Sequence, residues 1–267
     1  MAFEFKEKYG IEDLLEIMTL LRSPNGCPWD RTQDHYSIRE DMIEEAYEVI
    51  EAINNNDTEN LREELGDVLL QVVFHSEMER EKGSFDFDDV CHDVCDKLVI
   101  RHPHVFADVS AETPEEVLKN WEEIKAQTKG RKKTSDSMSS VPRHLPALMR
   151  ARKIQKKAAE VGFDWPDSEG AFDKIAEETD ELREAFRSGD PQAVSDELGD
   201  LLFSVVNVAR FVGAKPEEAL SRSCDKFITR FRLVEQLAAE RGIDMQTAGL
   251  EKLDELWDEA KIMIQTD

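Results

Sequence analysis

The sequence predicts an all-α protein with two tandem helical-bundle domains that arose by internal duplication. Three observations support this prediction: apolar residues recur with helical spacing, acidic segments recur at a fixed offset, and glycine and proline are scarce, at 12 and 9 of 267 residues. The hydrophobic fraction of 40% is enough to fill ordinary domain cores. The chain length suits two domains of about 100–150 residues each.

The duplication sets the domain boundaries. Residues 44–48 recur as 177–181 and residues 63–67 recur as 196–200, both 133 residues later. We therefore predict one domain over 1–126, a linker over 127–144 and a second domain over 145–267. Serine, threonine and basic residues dominate the linker, which indicates a solvated flexible tether, while a nucleic-acid contact is the alternative interpretation of its charge.

Capping residues predict where the helices of each copy begin. The Ser37-x-x-Glu40 pattern predicts a capping box at the first helix of the first copy. Asp57 and Asp190 are candidate N-caps of the next helix in the two copies, and Pro191 suits the first helical position. Each copy is predicted to form a helical hairpin followed by at least two further helices.

Charge and cysteine content exclude several classes of protein. The 59 acidic and 34 basic residues give a formal net charge of −25, which opposes strong binding to a nucleic-acid backbone. No apolar stretch approaches the ~18 residues of a membrane span, so we expect a cytoplasmic protein without membrane contact. Cys91, His92 and Cys95 resemble half of a zinc site, but the sequence shows no second pair of ligands, and ordinary helix residues are the favoured interpretation.

Carboxylates at helical spacing are the candidate metal ligands. Side chains three residues apart share one side of a helix, and an antiparallel hairpin can bring two such pairs together. The four candidates are Glu45, Glu48, Glu64 and Asp67 in the first copy, and Glu178, Glu181, Glu197 and Asp200 in the second. Apolar residues surround the second pair in each copy, so we expect the carboxylates to be buried and to require a cation. Oxygen ligands select Mg²⁺, Mn²⁺ or Ca²⁺ rather than zinc, and Mg²⁺ usually completes its shell with substrate phosphates.

Basic and aromatic residues further along each copy are candidate substrate ligands. We expect Lys97 and Arg101, or Lys226 and Arg230, to contact phosphates. Trp121 and Trp257 are candidate stacking partners for a base, with Lys125 and Lys261 one turn further on. The alternative is that the tryptophans belong to the core and the cations to the surface.

The order of these motifs resembles the MazG family of tandem-domain nucleoside triphosphate pyrophosphohydrolases. The resemblance rests on EExxE followed by ExxD in both copies, together with residues 26–30 (GCPWD), 101–106 (RHPHVF) and 161–165 (VGFDW). It implies the all-α NTP pyrophosphatase fold, a homodimer, and Mg²⁺-dependent hydrolysis of nucleoside triphosphates, ATP included, to monophosphate and pyrophosphate. A role in cleansing nucleotide pools is also implied.

By the same resemblance, the four carboxylates of the second copy are catalytic Mg²⁺ ligands. The implied nucleotide ligands are Lys174, Lys226, Arg230, Trp257 and Lys261. The first copy departs at one position, because Asp41 stands where the second copy has Lys174. We therefore predict that the second copy carries most of the hydrolysis. A narrow dUTP/dCTP pyrophosphatase and a non-catalytic helical dimerisation module remain the alternative functions.

Overall fold

The computed structural model describes residues 3–107 and 133–266, together with 113, 114, 116, 117, 120, 121 and 124. Regular secondary structure within these residues is entirely helical, which confirms the all-α prediction. None of the described helices combines the length and apolarity needed to cross a membrane. The helices are α1 (Ile11–Arg22), α2 (Pro28–Thr32), α3 (Asp41–Asn55), α4 (Thr58–Lys82), α5 (Phe87–Arg101), α6 (Pro103–Phe106), α7 (Thr134–Ser139), α8 (Ala147–Ala159), α9 (Glu169–Ser188), α10 (Pro191–Phe211), α11 (Pro216–Glu240) and α12 (Leu250–Thr266).

The chain divides into two compact units, Met1–Gly130 and Arg131–Asp267. In the first unit, α3 and α4 form an antiparallel hairpin, and α1 and α5 pack against α4. Its core lies where α1 meets the second half of α4, away from the turn that joins α3 to α4. The core residues are Met18, Ile38, Val73, Phe74 and Met78.

The second unit repeats the hairpin with α9 and α10, and α8 packs against α10 as α1 packs against α4. Its main core lies elsewhere, between α11 and α12. The core residues there are Val234, Leu237, Ala238, Leu256 and Ala260. The two copies thus share the hairpin but draw their principal cores from different helices.

Both predicted N-caps of the second hairpin helix are confirmed. The Asp57 carboxylate accepts a hydrogen bond from the Asn60 amide at 3.0 Å, and Asp190 accepts one from the Gln192 amide at 2.9 Å, with Pro191 at the first helical position. Each cap satisfies one amide that the helix itself leaves without a partner.

The predicted capping box at Ser37 and Glu40 is wrong. Asp34 accepts hydrogen bonds from the Tyr36 and Ser37 amides, so this segment forms a turn, and α3 begins only at Asp41. Ile38 follows the turn and is buried in the core of the first unit. The Ser37 hydroxyl accepts a hydrogen bond from the Asp34 amide and donates one to the Asp34 carbonyl, so it is engaged in this turn and does not cap α3.

Part of the segment predicted as a linker is helical. Helix α7 lies within residues 127–144 and packs against α8. The Lys157 ammonium donates a hydrogen bond to Ser137 Oγ at 2.6 Å, and Val141 is buried just after the helix. One buried apolar side chain and one side-chain hydrogen bond attach this polar segment to the second unit.

Candidate metal and nucleotide site

The two hairpins bring carboxylates together in both units. In the first unit, one oxygen from each of Glu45, Glu48 and Glu64 lies within 4.8 Å of the others. In the second unit, the same holds for Glu178, Glu197 and Asp200. Helical spacing aligns each pair on one side of its helix, and antiparallel packing brings the facing helix into reach.

One predicted carboxylate of each copy, Asp67 in the first and Glu181 in the second, is not part of the group of three but interacts electrostatically with it. The charge of Asp67 helps to raise the pKa of Glu45, after burial, which is the largest cause. The pKa of Glu181 is also raised, first by burial and then by the charge of Glu178. Both residues therefore lie close enough to interact with the cluster without contributing to its tightest triad.

The expectation that all eight carboxylates are buried is wrong, because only one of them is. Glu178 is buried, with 4% of its surface exposed, but Glu181 and Asp200 are exposed and the remaining five are half-buried. The apolar residues beside them are exposed as well, including Leu65 at 52% and Leu198 at 46%. A two-helix hairpin covers only one side of each helix, so an apolar surface all round cannot be buried by the hairpin alone.

A lysine distinguishes the second cluster from the first. The Lys174 ammonium lies 2.6 Å from Glu178 Oε1 and 2.9 Å from Glu177 Oε1, and these contacts raise the pKa of Lys174. Asp41 occupies the corresponding position one turn before Glu45. Burial, followed by the neighbouring Glu48, raises the pKa of Glu64. The first cluster is therefore crowded with negative charge, whereas the second contains one balancing cation.

The second cluster suits a hard divalent cation. Glu178 Oε2 is buried and makes no hydrogen bond with any described residue. A buried carboxylate oxygen without a donor is costly unless a cation binds it. The candidate metal ligands that Glu178, Glu197 and Asp200 bring together are all carboxylate oxygens, which are preferred by Mg²⁺, Mn²⁺ and Ca²⁺.

The predicted nucleotide ligands of the second unit cluster on α11 and α12. The Arg230 guanidinium lies 5.9 Å from the centre of the Trp257 indole, and the Phe227 ring lies 4.9 Å from it. Trp257 is half-buried and also packs against the core of this unit. Lys226 is exposed, and Lys261 forms an ion pair with Asp258 at 2.8 Å.

The first unit repeats the pairing of arginine with tryptophan. The Arg101 guanidinium lies 4.9 Å from the Trp121 ring centre, while Lys97 is exposed. Lys125 lies outside the described residues. A cation stacked on a half-buried aromatic ring therefore occurs in both copies, at distances typical of a cation–π contact.

The two parts of the predicted site lie on helices that share a neighbour. Helix α9 packs on α10 and α11 packs on α12, and α8 packs against both α10 and α11. The structure brings the carboxylates together with Lys174, and brings Arg230 together with Trp257, as two groups of contacts within the second unit.

A polar cluster in the first unit has no counterpart among the predicted site residues. His35 Nδ1 lies 2.7 Å from His75 Nδ1, and His35 Nε2 lies 2.6 Å from Glu79 Oε1. The two imidazole rings are stacked. The sequence signal for this cluster is the pair His75 and Glu79, which lie one turn apart on α4; the second copy has Val208 at the position of His75.

The sequence model of the MazG nucleotide pyrophosphohydrolase domain matches this chain twice, over residues 33–106 and 168–234. Each match contains one of the two carboxylate hairpins. The chain belongs to the MazG family. This membership confirms the resemblance inferred from the motifs.

Relatives of known name share the full length of the chain. A nucleoside triphosphate pyrophosphohydrolase/pyrophosphatase MazG of Thermotoga maritima is 49% identical over 94% of this chain and 95% of its own length. A nucleoside triphosphate pyrophosphohydrolase of Escherichia coli K12 is 48% identical over 94% of this chain and 97% of its own length. The similarity therefore spans both units and not one MazG domain alone.

Proposed function

We propose that the protein is a nucleoside triphosphate pyrophosphohydrolase whose principal centre is the α9–α10 hairpin. The observation that carries the proposal is the convergence of Glu178, Glu197 and Asp200 beside Lys174, inside a segment matched as a MazG domain. Carboxylates that hold a divalent cation, next to a partly exposed ammonium group, form a site suited to a polyphosphate. The names of the full-length relatives support the same activity.

We propose Mg²⁺ as the cofactor, with Mn²⁺ as a substitute. When bound, the cation neutralises phosphate charge and makes a water molecule a stronger nucleophile toward phosphorus. Glu178, Glu197 and Asp200 would hold it through carboxylate oxygens, and Glu181 lies near enough to contribute or to take a proton from the attacking water. Water would add at the α-phosphorus, and the bond to the bridging oxygen would break as pyrophosphate leaves with the electron pair.

The remaining groups would orient the nucleotide. Lys174 can contact a phosphate oxygen from its position one helical turn before Glu178. Trp257 offers an aromatic face for the base, with Arg230 stacked on it and Lys226 and Lys261 on the same two helices. Helix α8 packs against both α10 and α11, and a bound nucleotide would have to reach both groups.

Product analysis tests this proposal directly. The full chain is incubated with a panel of canonical and modified NTPs and dNTPs, with Mg²⁺ or with EDTA. We expect monophosphate and pyrophosphate in equal amounts with Mg²⁺, and neither product with EDTA. Release of orthophosphate and diphosphate would contradict the assigned bond. We propose a broad role in cleansing the cytoplasmic nucleotide pool. Turnover confined to dUTP and dCTP would contradict that role and identify a narrow dUTP/dCTP pyrophosphatase.

We also propose that the protein acts as a homodimer. Equivalent apolar residues on the two hairpins are exposed, at Leu65 and Leu69 in the first unit and at Leu198 and Leu202 in the second. Apolar faces this regular usually pack against another helical surface. Sedimentation of the wild type and of Leu69→Lys/Leu202→Lys tests the proposal. We expect a dimer for the wild type and a monomer for the variant; a monomeric wild type would contradict it.

A further inference from the structure

Lys174 supplies a cation to the carboxylate cluster of the second unit. Its ammonium contacts Glu178 Oε1 at 2.6 Å, while Glu178 Oε2 is buried and has no hydrogen-bond partner within the described part of the chain. One oxygen of this buried carboxylate is thus held by the lysine and the other is available to a ligand. The Lys174 side chain itself is 35% exposed, so it has room to leave.

The carboxylate group of the first unit has no such cation. Asp41 replaces Lys174, and none of the ion pairs found in the described residues involves Glu45, Glu48 or Glu64. Burial and mutual repulsion act on these carboxylates, and no described lysine or arginine is paired with them. The units therefore differ in the presence of a resident counter-ion, and also in which three of the four carboxylates converge.

We propose that Lys174 is a displaceable counter-ion: it holds Glu178 while the second site is free of metal, and moves to the nucleotide phosphates when the metal binds. This inference rests on the proposed function, because it assumes that the cluster takes a divalent cation. A metal that binds alone must compete with the ammonium group for Glu178. A nucleotide that engages Lys174 removes that competition, so the metal and the nucleotide each strengthen the binding of the other.

An ordinary surface ion pair would behave differently. Lysine and glutamate four residues apart on exposed helices form pairs of little energetic consequence. Here the carboxylate is buried, so loss of its cation leaves an uncompensated buried charge. Removal of Lys174 should therefore change both the metal-free stability and the metal affinity, whereas removal of an exposed lysine or arginine on the same helix should change neither.

The test uses the full chain in a Glu45→Gln/Glu64→Gln background, which disables the first cluster. Mg²⁺ is titrated calorimetrically into this background, into Lys174→Met and into the matched control Arg183→Met, with and without an NTP analogue that has a non-hydrolysable α–β bridge. Arg183 lies on α9 and pairs only with the exposed Asp180, at 2.9 Å, among the described residues. Melting temperatures are recorded in EDTA and in saturating Mg²⁺.

We expect Lys174→Met to bind Mg²⁺ alone about two- to fivefold more tightly, the range for loss of a partly exposed ion pair. The gain in Mg²⁺ affinity on adding the analogue should shrink by a similar factor. Its melting temperature in EDTA should fall, and Mg²⁺ should raise it by more than in the background protein. Arg183→Met should match the background protein in all three measurements.

Three results would overturn the inference or its basis. Unchanged or weaker Mg²⁺ binding by Lys174→Met would contradict the counter-ion role while leaving the proposed metal site intact. Equal tightening in Lys174→Met and Arg183→Met would assign the effect to net charge rather than to the contact with Glu178. No detectable Mg²⁺ binding by any of the three proteins, with or without the analogue, would contradict the proposed function itself.

Discussion

The two carboxylate hairpins of this protein have the same ligand spacing along the sequence but different electrostatic states. Three acidic side chains converge in each hairpin, but the helices contribute two and one in the first unit (Glu45, Glu48, Glu64) and one and two in the second (Glu178, Glu197, Asp200). In the second unit, Lys174 contacts the buried Glu178; in the first, Asp41 adds another negative charge one turn before Glu45. The comparison shows that duplication kept the four acidic positions, while the three that converge and the charge one turn before them differ.

The aromatic groups of the two units differ less. Arginine stacks on tryptophan in both, at 4.9 Å in the first unit and 5.9 Å in the second. We therefore expect any functional asymmetry to arise at the hairpins and not at the tryptophans. Variants that act on one unit at a time can test this expectation.

The largest effect is expected from loss of a carboxylate in the second unit. Glu178→Gln should lower kcat/KM at limiting Mg²⁺ by at least about a hundredfold, because a bound cation contributes several kcal/mol to the transition state. Glu45→Gln, its counterpart in the first unit, should lower total turnover by less than about twofold. Glu184→Gln, exposed on α9, serves as the control with full activity. Equal losses for Glu178→Gln and Glu45→Gln would eliminate the asymmetry.

A smaller effect is expected from the tryptophans. Trp257→Ala should raise the KM roughly ten- to a hundredfold, since base stacking contributes ~1–3 kcal/mol. Because Trp257 is half-buried against the α11–α12 core, the variant should also lower the melting temperature of the second unit. Trp257→Phe keeps an aromatic face and should recover most of the KM. A lower melting temperature with an unchanged KM would make Trp257 a core residue only.

Replacement of Asp41 by lysine, the residue found at the corresponding position of the second unit, should reduce the difference in nucleotide binding between the two sites. In a Glu178→Gln/Glu197→Gln background, Asp41→Lys should strengthen nucleotide binding to the first site at saturating Mg²⁺ by about tenfold. A charge-assisted phosphate contact contributes ~1.5–3 kcal/mol, and the substitution also removes a repelling charge. Asp41→Asn removes the repulsion alone and should give a smaller gain. No gain from either variant, measured by calorimetry with a non-hydrolysable analogue, would falsify the charge explanation.

The smallest effect concerns pH and the histidine pair that only the first unit contains. Burial, then the charge of His35, lowers the pKa of His75 below its ordinary value of 6.5. As pH falls below 6.5, His75 takes up a proton more readily in the unfolded chain than in the folded protein. This difference lowers the free energy of unfolding of the first unit. His75→Val, which introduces the residue found at Val208, should reduce the fall in melting temperature between pH 7 and pH 5.5.

The difference between the wild type and His75→Val isolates this histidine from other titrations. The pKa of Glu79 is lowered to about 2, chiefly by Lys82 and His35, so its stabilising contribution is lost only as pH falls toward 2. The raised pKa values of Glu45 and Glu64 act in the opposite direction, because protonation relieves their repulsion, but they are present in both proteins. Parallel pH profiles for the two proteins would contradict the role of His75.

Local patterns in the sequence were sufficient for the helical hairpins and their caps. Asp57 and Asp190 were predictable because an N-cap depends on a side chain and an amide only two or three residues away. The convergence of the carboxylates was likewise predictable from a spacing of three residues on two antiparallel helices. The Ser37-x-x-Glu40 capping box failed because the hydroxyl and amide of Ser37 are engaged in a turn with Asp34, a competing local contact that the pattern does not reveal.

The sequence by itself determined the duplication, the helical class and the four carboxylates available to each hairpin. Only the tertiary structure decided which three of them converge in each unit, which one is buried, and that Lys174 contacts it. Burial depends on what covers a helix face, and covering residues come from elements far away in the sequence. Spacing along a helix fixes the direction of a side chain, but its partner and its exposure to water are set by packing.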